Sequence, residues 1–439
     1  YFRGVASFGD KVLMSAGDYD AYLVKVDASG TVQWARSIGG TGDDRGQGLA
    51  VSSGDSILWS GYFSSTIESE TFLLENQGGA DAFLAKLNSD GAFAWVRSTG
   101  GSGDDFGEFS ALDNHGNYFL AGNVENDSVS GPFLVSYNQQ GDLVWKNTIG
   151  GGSSNMATSL VADGEGVYLA GNFQGSSTFG DVNLSSSGAS DVFLASYSHD
   201  GSLSWAQSYG GQDSDQAKNL SIDPFGNLCL MGEFQGSSQF GNLSLESVGD
   251  YDLFVTKVSK DQGTPIWSRR SGEAGREEAS GMAFASDGGL VLATHFLGSS
   301  TKIDSLEVSS GGSHGYALTR IGKPNDLPQV SMPDKISLVA GEPFALELNA
   351  TFSSGAPARF DLTKNPSWVA LEDTGYGKSL LAGMPSSADA GEFLVGIRVS
   401  DREGGKLERL VVLEVEGVSD VVAVDAEPET LWFQSGQGG

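Results

Sequence analysis

One cysteine, four histidines and eleven prolines are spread over 439 residues, and 25 Lys and Arg face 56 Asp and Glu. A single Cys229 excludes an intrachain disulfide, a CxxC redox pair and a thiolate zinc cluster. Its setting, "NLCLMG", reads as an apolar strand with a small buried hydrophobe. No apolar run approaches the ~18 residues of a helical membrane span. Clustered Lys and Arg, which would displace counterions from phosphates, are missing, and this excludes a nucleic-acid partner. The net charge of -31 repels anionic lipid and attracts cations such as Ca²⁺; equally, it keeps a large chain in solution. His115, His199, His295 and His314 have no HxxxH or HExxH spacing, and neither a GxSxG elbow nor a P-loop is present. Arg is too sparse for a sialidase-like cluster. The expectation is a chain without catalytic machinery.

What is present is glycine, 63 residues without a Gly-x-y period, together with 39% hydrophobic residues. This composition fits several globular domains rich in tight turns and β structure. It is organised by a repeat. "DAFLAKLNSDGAFAWVRSTGG" from Asp81 returns as "DAYLVKVDASGTVQWARSIGG" from Asp20, "GPFLVSYNQQGDLVWKNTIGG" from Gly131 and "DVFLASYSHDGSLSWAQSYGG" from Asp191. A looser copy starts at Asp252, and "GYALTRIG" from Gly315 supplies a partial one. A period of about 60 residues signals stacked or radial units. Each unit reads as four short strands. The first is of the "AFLAKL" type and the second ends near Trp34, Trp95, Trp145, Trp205 or Trp267. Two more flank turns such as "DNHGN" and "DPFGN". Four antiparallel strands per unit predict an all-β chain with a β-propeller over 1–322: five complete repeats and two partial ends. The six starts lie near 20, 81, 131, 191, 252 and 315. Because the first residues align with the end of later units, Tyr1 falls inside a repeat, as expected for a segment of a longer chain. The ends could share one incomplete blade, but a propeller with further blades upstream is the preferred expectation. Trp at one fixed place per unit is expected to pack blade on blade rather than to stack a sugar.

The pattern DxFLxK, GxxxW, GGxxxD, DxxGNxxLxG resembles the bacterial SBBP propeller repeat of large secreted and cell-surface proteins. The resemblance covers about three quarters of the chain and implies a scaffold. Beyond a linker at 323–327, "NPSW", "LAGMP", "DAGEF" and "VSD" follow in an order that resembles the immunoglobulin and dystroglycan-type cadherin-like domains of bacterial surface proteins. An Ig/cadherin-like β-sandwich over 328–417 is therefore expected, acting as a spacer or adhesion module. The acidic tail, 418–439, is set aside as a tail or the start of another module.

Two candidate sites remain. The "GGTGDD", "GGSGDD" and "GGQDSD" loops carry Asp44, Asp105 and Asp215, which could ligate Ca²⁺ or cap turn amides. Asn155 and Arg276 are read as the counterparts of Asp44 in other units. The linker "PNDLP" and "VSDRE" offer Asn325, Asp326, Asp401 and Glu403 as Ca²⁺ ligands by resemblance to cadherin linkers. The expected function is a non-catalytic extracellular scaffold or adhesion segment that binds protein or polysaccharide through propeller loops, without membrane insertion and joined to neighbouring modules. The alternative is a carbohydrate-binding accessory region of a secreted enzyme.

Overall fold

The computed structural model describes residues 1–416 apart from 53, 126–129, 151–153, 225, 286–288, 304–305, 311, 322–328, 334, 352–357, 376 and 401–405. Strands dominate both of its compact units, 1–324 and 325–439; the one helical element described is a short 3-10 turn at Ser387–Asp389.

In the first unit the sheets are offset from the sequence repeat by two strands. The first complete sheet runs in the order Arg45–Val51, Ile57–Phe63, Asp81–Leu87, Phe93–Thr99. It thus takes its first pair of strands from one repeat and its second pair from the next. A second sheet follows with Asp104–Leu112, Tyr118–Glu125, Ser130–Tyr137 and Leu143–Thr148. The third comprises Met156–Ala162, Val167–Phe173, Asp191–Tyr197 and Leu203–Gly211, whose last residues also pair with the short strand Ser237–Phe240 and, through it, Leu243–Glu246. The fourth comprises Asp215–Ile222, Leu228–Phe234, Asp252–Val258 and Pro265–Ser271. Among the described residues five sequence repeats therefore make four sheets with all four repeat strands, not five. The flanking sheets are a pair, Ala21–Val26 with Val32–Ile38, and a triplet, Arg276–Phe284, Leu290–Leu297 and His314–Ile321. The pair and triplet are separate sheets. Each already contains the strand type that opens the repeat, so together they would not compose one blade.

Hydrophobic pattern explains the stacking. Second and third strands such as "ILWSGYF" and "DAFLAKL" are buried nearly throughout, because each sheet has a neighbour on both faces. First strands pack on the preceding sheet: Asp104–Leu112 on Arg45–Val51, Met156–Ala162 on Asp104–Leu112, Asp215–Ile222 on Met156–Ala162 and Arg276–Phe284 on Asp215–Ile222. Between second and third strands of the third and fourth sheets lies a short hairpin absent from the sequence reading, Ser176–Phe179 with Val182–Ser185 and Ser237–Phe240 with Leu243–Glu246. Its phenylalanines, Phe179 and Phe240, are fully buried against Phe193 and Phe254.

The recurrent Trp and Gly form an inter-sheet lock. Trp34, Trp95, Trp145 and Trp205 donate their indole N–H to the carbonyls of Ser89, Gln139, His199 and Lys260 in the next sheet's hairpin turn, at 2.8–3.2 Å. Each ring lies under the turn glycine, Gly91, Gly141, Gly201 or Gly263, where an added Cβ would meet it at 2.7 Å. Those glycines also have φ between +67° and +85°. The position thus demands glycine twice, for conformation and for space.

The second unit holds two four-stranded sheets. One is ordered Gln329–Ser331, Phe344–Thr351, Lys378–Gly383, Val369–Gly375; the other Lys335–Val339, Lys406–Glu416, Gly391–Ser400, Arg359–Lys364, with its first pair parallel. Leu348, Leu381, Ile397, Val399, Val411 and Leu413 from both sheets fill a common core. This is a two-layer sandwich.

Candidate functional site

The turns that join first to second strands gather at one end of the stacked sheets. There a groove of about 750 Å³ is lined by Val51 and Ser52 of the first sheet, Asp113–Gly116 and Gln139 of the second, Asp163 and Gly164 of the third and Ile222 of the fourth. Its walls are apolar strand ends such as Ala111, Leu112, Leu160 and Val161, and its rim is polar. Asp163 is tied to Lys260 of the fourth sheet at 2.7 Å, and Glu165 reaches the same ammonium at 2.9 Å.

On the rim, Asp113 is buried while His115 is exposed and His199 half-buried. The Asp113 carboxylate closes its turn by accepting the amide N–H groups of His115 and Asn117, each at 2.9 Å, and the Asn117 side-chain amide at 2.6 Å. Its Oδ2 lies 3.1 Å from His199 Nε2 and 3.8 Å from His115 Nδ1. Sequence spacing missed this grouping, since 84 residues separate the two histidines. The available signal was positional: both occupy turn positions that vary between copies of the repeat.

The GG-loop acids behave differently. Asp44 accepts from the amides of Gly40 and Ser64 at 2.7 and 3.1 Å. Asp215 accepts from the Gly211 amide at 2.7 Å and from the Ser238 hydroxyl. Each stands beside the acid that opens its own repeat, which lies on the preceding sheet: Asp44 with Asp20, Asp105 with Asp81, Asp215 with Asp191, and Glu277 with Asp252. The fifth repeat thus places Glu277, not Arg276, at the Asp44 position; Glu277 N–H donates to Tyr251 O as Asp44 N–H does to Tyr19 O. Burial pushes the carboxyls of Asp44 and Asp215 up to about 6 and Glu277 to about 7, and the neighbouring acid pushes in the same direction. Asp105 is raised by burial, with the Lys146 ammonium opposing. Oδ1 of Asp20, Asp81, Asp191 and Asp252 is buried without a hydrogen-bond partner among the described residues. Facing acceptors satisfy one another only through a shared proton or a cation.

This pairing also explains the glycine doublets. A Cβ on Gly39, Gly100, Gly210 or Gly272 would strike the carboxyl group of Asp20, Asp81, Asp191 or Asp252 within 1.8–2.7 Å. In the repeat where the pair is Gly131 and Asn155, the corresponding Gly150 meets nothing within 4 Å. Both acids are lost together there, and with them the crowding. The linker candidates Asn325, Asp326, Asp401 and Glu403 lie outside the described residues.

No family model matches the chain, and no curated protein does. The SBBP and cadherin-like resemblances are thus not confirmed by these comparisons. Among solved structures, part of the chain is similar to the SrpA adhesin of Streptococcus sanguinis at 16% identity and a TM-score of 0.19, covering 20% of this chain and 57% of that one. The endo-fucoidan hydrolase MfFcnA4 of glycoside hydrolase family 107 is similar at 14% identity and a TM-score of 0.20, covering 65% and 40%. A titin Ig tandem, A164-A165, is similar at 12% identity and 0.17, covering 38% and 88%. The matched region spans a little over half of the SrpA adhesin chain. At these scores the likenesses carry neither a fold nor a function to this chain. No helix among the described residues is long and apolar enough to cross a membrane.

Proposed function

We propose that the chain is a non-catalytic scaffold or adhesion segment of a secreted or cell-surface protein, a propeller-like stack with a spacer sandwich, which binds its ligand in the groove at the turn end of the sheets. The groove carries this reading. Its frame is the part of the repeat that stays constant, whereas its rim residues Asn114, His115, Gln139 and Gly164 belong to turns that differ from copy to copy. A cavity with apolar walls and amide groups at its edge suits a polyhydroxyl chain, which offers both hydrogen-bonding and apolar faces. The acidic field favours a neutral or cationic ligand over a polyanion. The tethering of Asp163 by Lys260, and of Asp113 by its own turn, supports binding rather than acid–base chemistry.

The test is a glycan array probed with the full chain, followed by Asn114→Ala with Gln139→Ala. Neutral polysaccharide is expected to bind, and removing the two amides is expected to weaken it about tenfold, one net hydrogen bond's worth. Binding indifferent to both substitutions would remove the groove from the proposal. Release of reducing ends from the bound glycan would replace the scaffold with an enzyme.

A further inference from the structure

The Asp113, His115 and His199 cluster is explained by comparison with the fourth sheet. There Asp223 occupies the turn position of Asp113, and Lys257 from the same sheet's third strand reaches its Oδ2 at 2.6 Å, both groups buried. Aligning "DLFVTK" with "GPFLVS" puts Ser136 of the second sheet where Lys257 stands. The buried Asp113 has thus kept its turn and exchanged an ammonium partner for two imidazoles. One is carried by its own turn; the other comes from the hairpin turn of the third sheet. That second turn is fixed by the Trp145 indole, which donates to His199 O at 2.8 Å.

We propose that Asp113, His115 and His199 form a binding site for a divalent transition metal of the zinc class, with an open coordination position toward the groove. Their ligating atoms lie within 4.8 Å of one another. Around a tetrahedral zinc, with bonds of about 2.0–2.2 Å, neighbouring ligand atoms lie roughly 3.4 Å apart. The Asp113–His199 separation of 3.1 Å already matches that spacing, and the 3.8 Å to His115 requires only a small rotation of an exposed ring. Two imidazole nitrogens and one carboxylate oxygen select zinc, nickel, cobalt or copper over Ca²⁺ and Mg²⁺, which seek oxygen. The Asn117 amide on Asp113 Oδ2 orients the carboxylate from outside the coordination shell. Without a metal His199 Nε2–H donates to Asp163 O at 3.2 Å, a bond that ligation through Nε2 would replace. Asp113 and His115 also line the groove, so a metal here would present its open position to the groove's ligand.

The site does not depend on glycan binding and is tested without it. The full chain, stripped with EDTA and exchanged into buffer at neutral pH, is titrated with Zn²⁺ by calorimetry and with Co²⁺ by visible absorption. One Zn²⁺ per chain, a rise in melting temperature and the intense d–d bands of low-coordinate cobalt are expected. His115→Gln and His199→Gln should each weaken binding by more than about tenfold. Since His115 is exposed, its variant should leave circular dichroism and the metal-free melting temperature unchanged. Ser136→Lys should abolish binding by recreating the Lys–Asp pair of the fourth sheet. Failure to bind Zn²⁺, or binding that survives both histidine substitutions, would overturn the proposal.

Discussion

Trp95→Ala is expected to lower the unfolding free energy of the repeat region by about 3–5 kcal/mol, the range for removing a large buried aromatic side chain. Trp95 is 8% exposed, packs against Tyr118 and Tyr137, and donates to Gln139 O across the sheet interface at 3.2 Å. Its loss opens a void between two sheets and leaves a turn carbonyl without its donor. Gly141→Ala attacks the same contact from the other side. The new methyl would sit 2.7 Å from Trp95 Cδ2, on a residue whose φ is +79°. Left-handed backbone and overpacking together cost roughly 2–4 kcal/mol. The decisive measurement is a double-mutant cycle in urea. With the ring removed, the methyl has room, so the pair should be less damaging than the sum of the single changes by about 1 kcal/mol or more. Strict additivity would show that ring and glycine recur for unrelated reasons.

That contact shows why so much of the first unit could be read from sequence. Trp, turn Gly, Phe and the glycine doublet are each fixed by a neighbour in the next strand or sheet, so each returns whenever the neighbour does. The all-β architecture and the packing role of Trp34, Trp95, Trp145 and Trp205 followed from that recurrence. Sheet boundaries did not, because a repeat has no intrinsic first strand. Hydrogen bonding between Ile57–Phe63 and Asp81–Leu87 decides where a sheet starts, and a period of about 60 residues is the same for every choice of origin. The inserted hairpins were hidden for a different reason. Four-residue strands such as Ser176–Phe179, with serine at two positions, carry too little apolar alternation to stand out, although Phe179 is fully buried.

The sites divide along the same line. Asp44, Asp105 and Asp215 were visible because they repeat, as Ca²⁺ ligands or turn caps, a choice that sequence alone leaves open. Their partners Asp20, Asp81 and Asp191 were visible too, as strand starts within the same repeats, but each pairing crosses from one sheet to the next and needs three dimensions. The Asp113, His115 and His199 cluster is the opposite case. It exists in a single copy and is assembled from two turns of different sheets, so no local spacing announces it. Its trace in the sequence is a set of departures from the repeat: His115 in one turn, His199 in another, Ser136 where Lys257 stands later.

Between pH 5 and pH 8 the melting temperature of the full chain is expected to fall as pH rises. Asp44, Asp215 and Glu277 have folded-state pKa values of about 6, 6 and 7, and all three are nearly or fully inaccessible to solvent. An unfolded carboxyl titrates near 4. From about pH 4 up to those raised values the folded state therefore holds more protons than the unfolded one, and stability drops as the protons leave. The contribution is fully present below the unfolded value and is lost through the window from about pH 4 to 7, on the order of 1–3 kcal/mol per group. Other charges bear on the pairs: Lys146 lies near Asp81 and Asp105, and Arg270 holds Asp252 Oδ2 at 2.6 Å. The general repulsion of a chain carrying -31 charges acts with the same sign, so a site-specific control is needed. Asn155 supplies it, since the second-to-third sheet junction already uses an amide at this position, donating to Ser177 Oγ at 2.9 Å. Asp215→Asn combined with Glu277→Gln should raise the melting temperature at pH 8, raise it less at pH 5 and flatten the slope between. An undiminished slope would assign the effect to net charge alone. Repeating the measurement at pH 8 with millimolar Ca²⁺ against EDTA separates the two ways of satisfying facing carboxylates. A shared proton predicts identical curves. A cation seated between Asp20 and Asp44, or Asp191 and Asp215, predicts that Ca²⁺ restores at pH 8 the stability otherwise found only at pH 5.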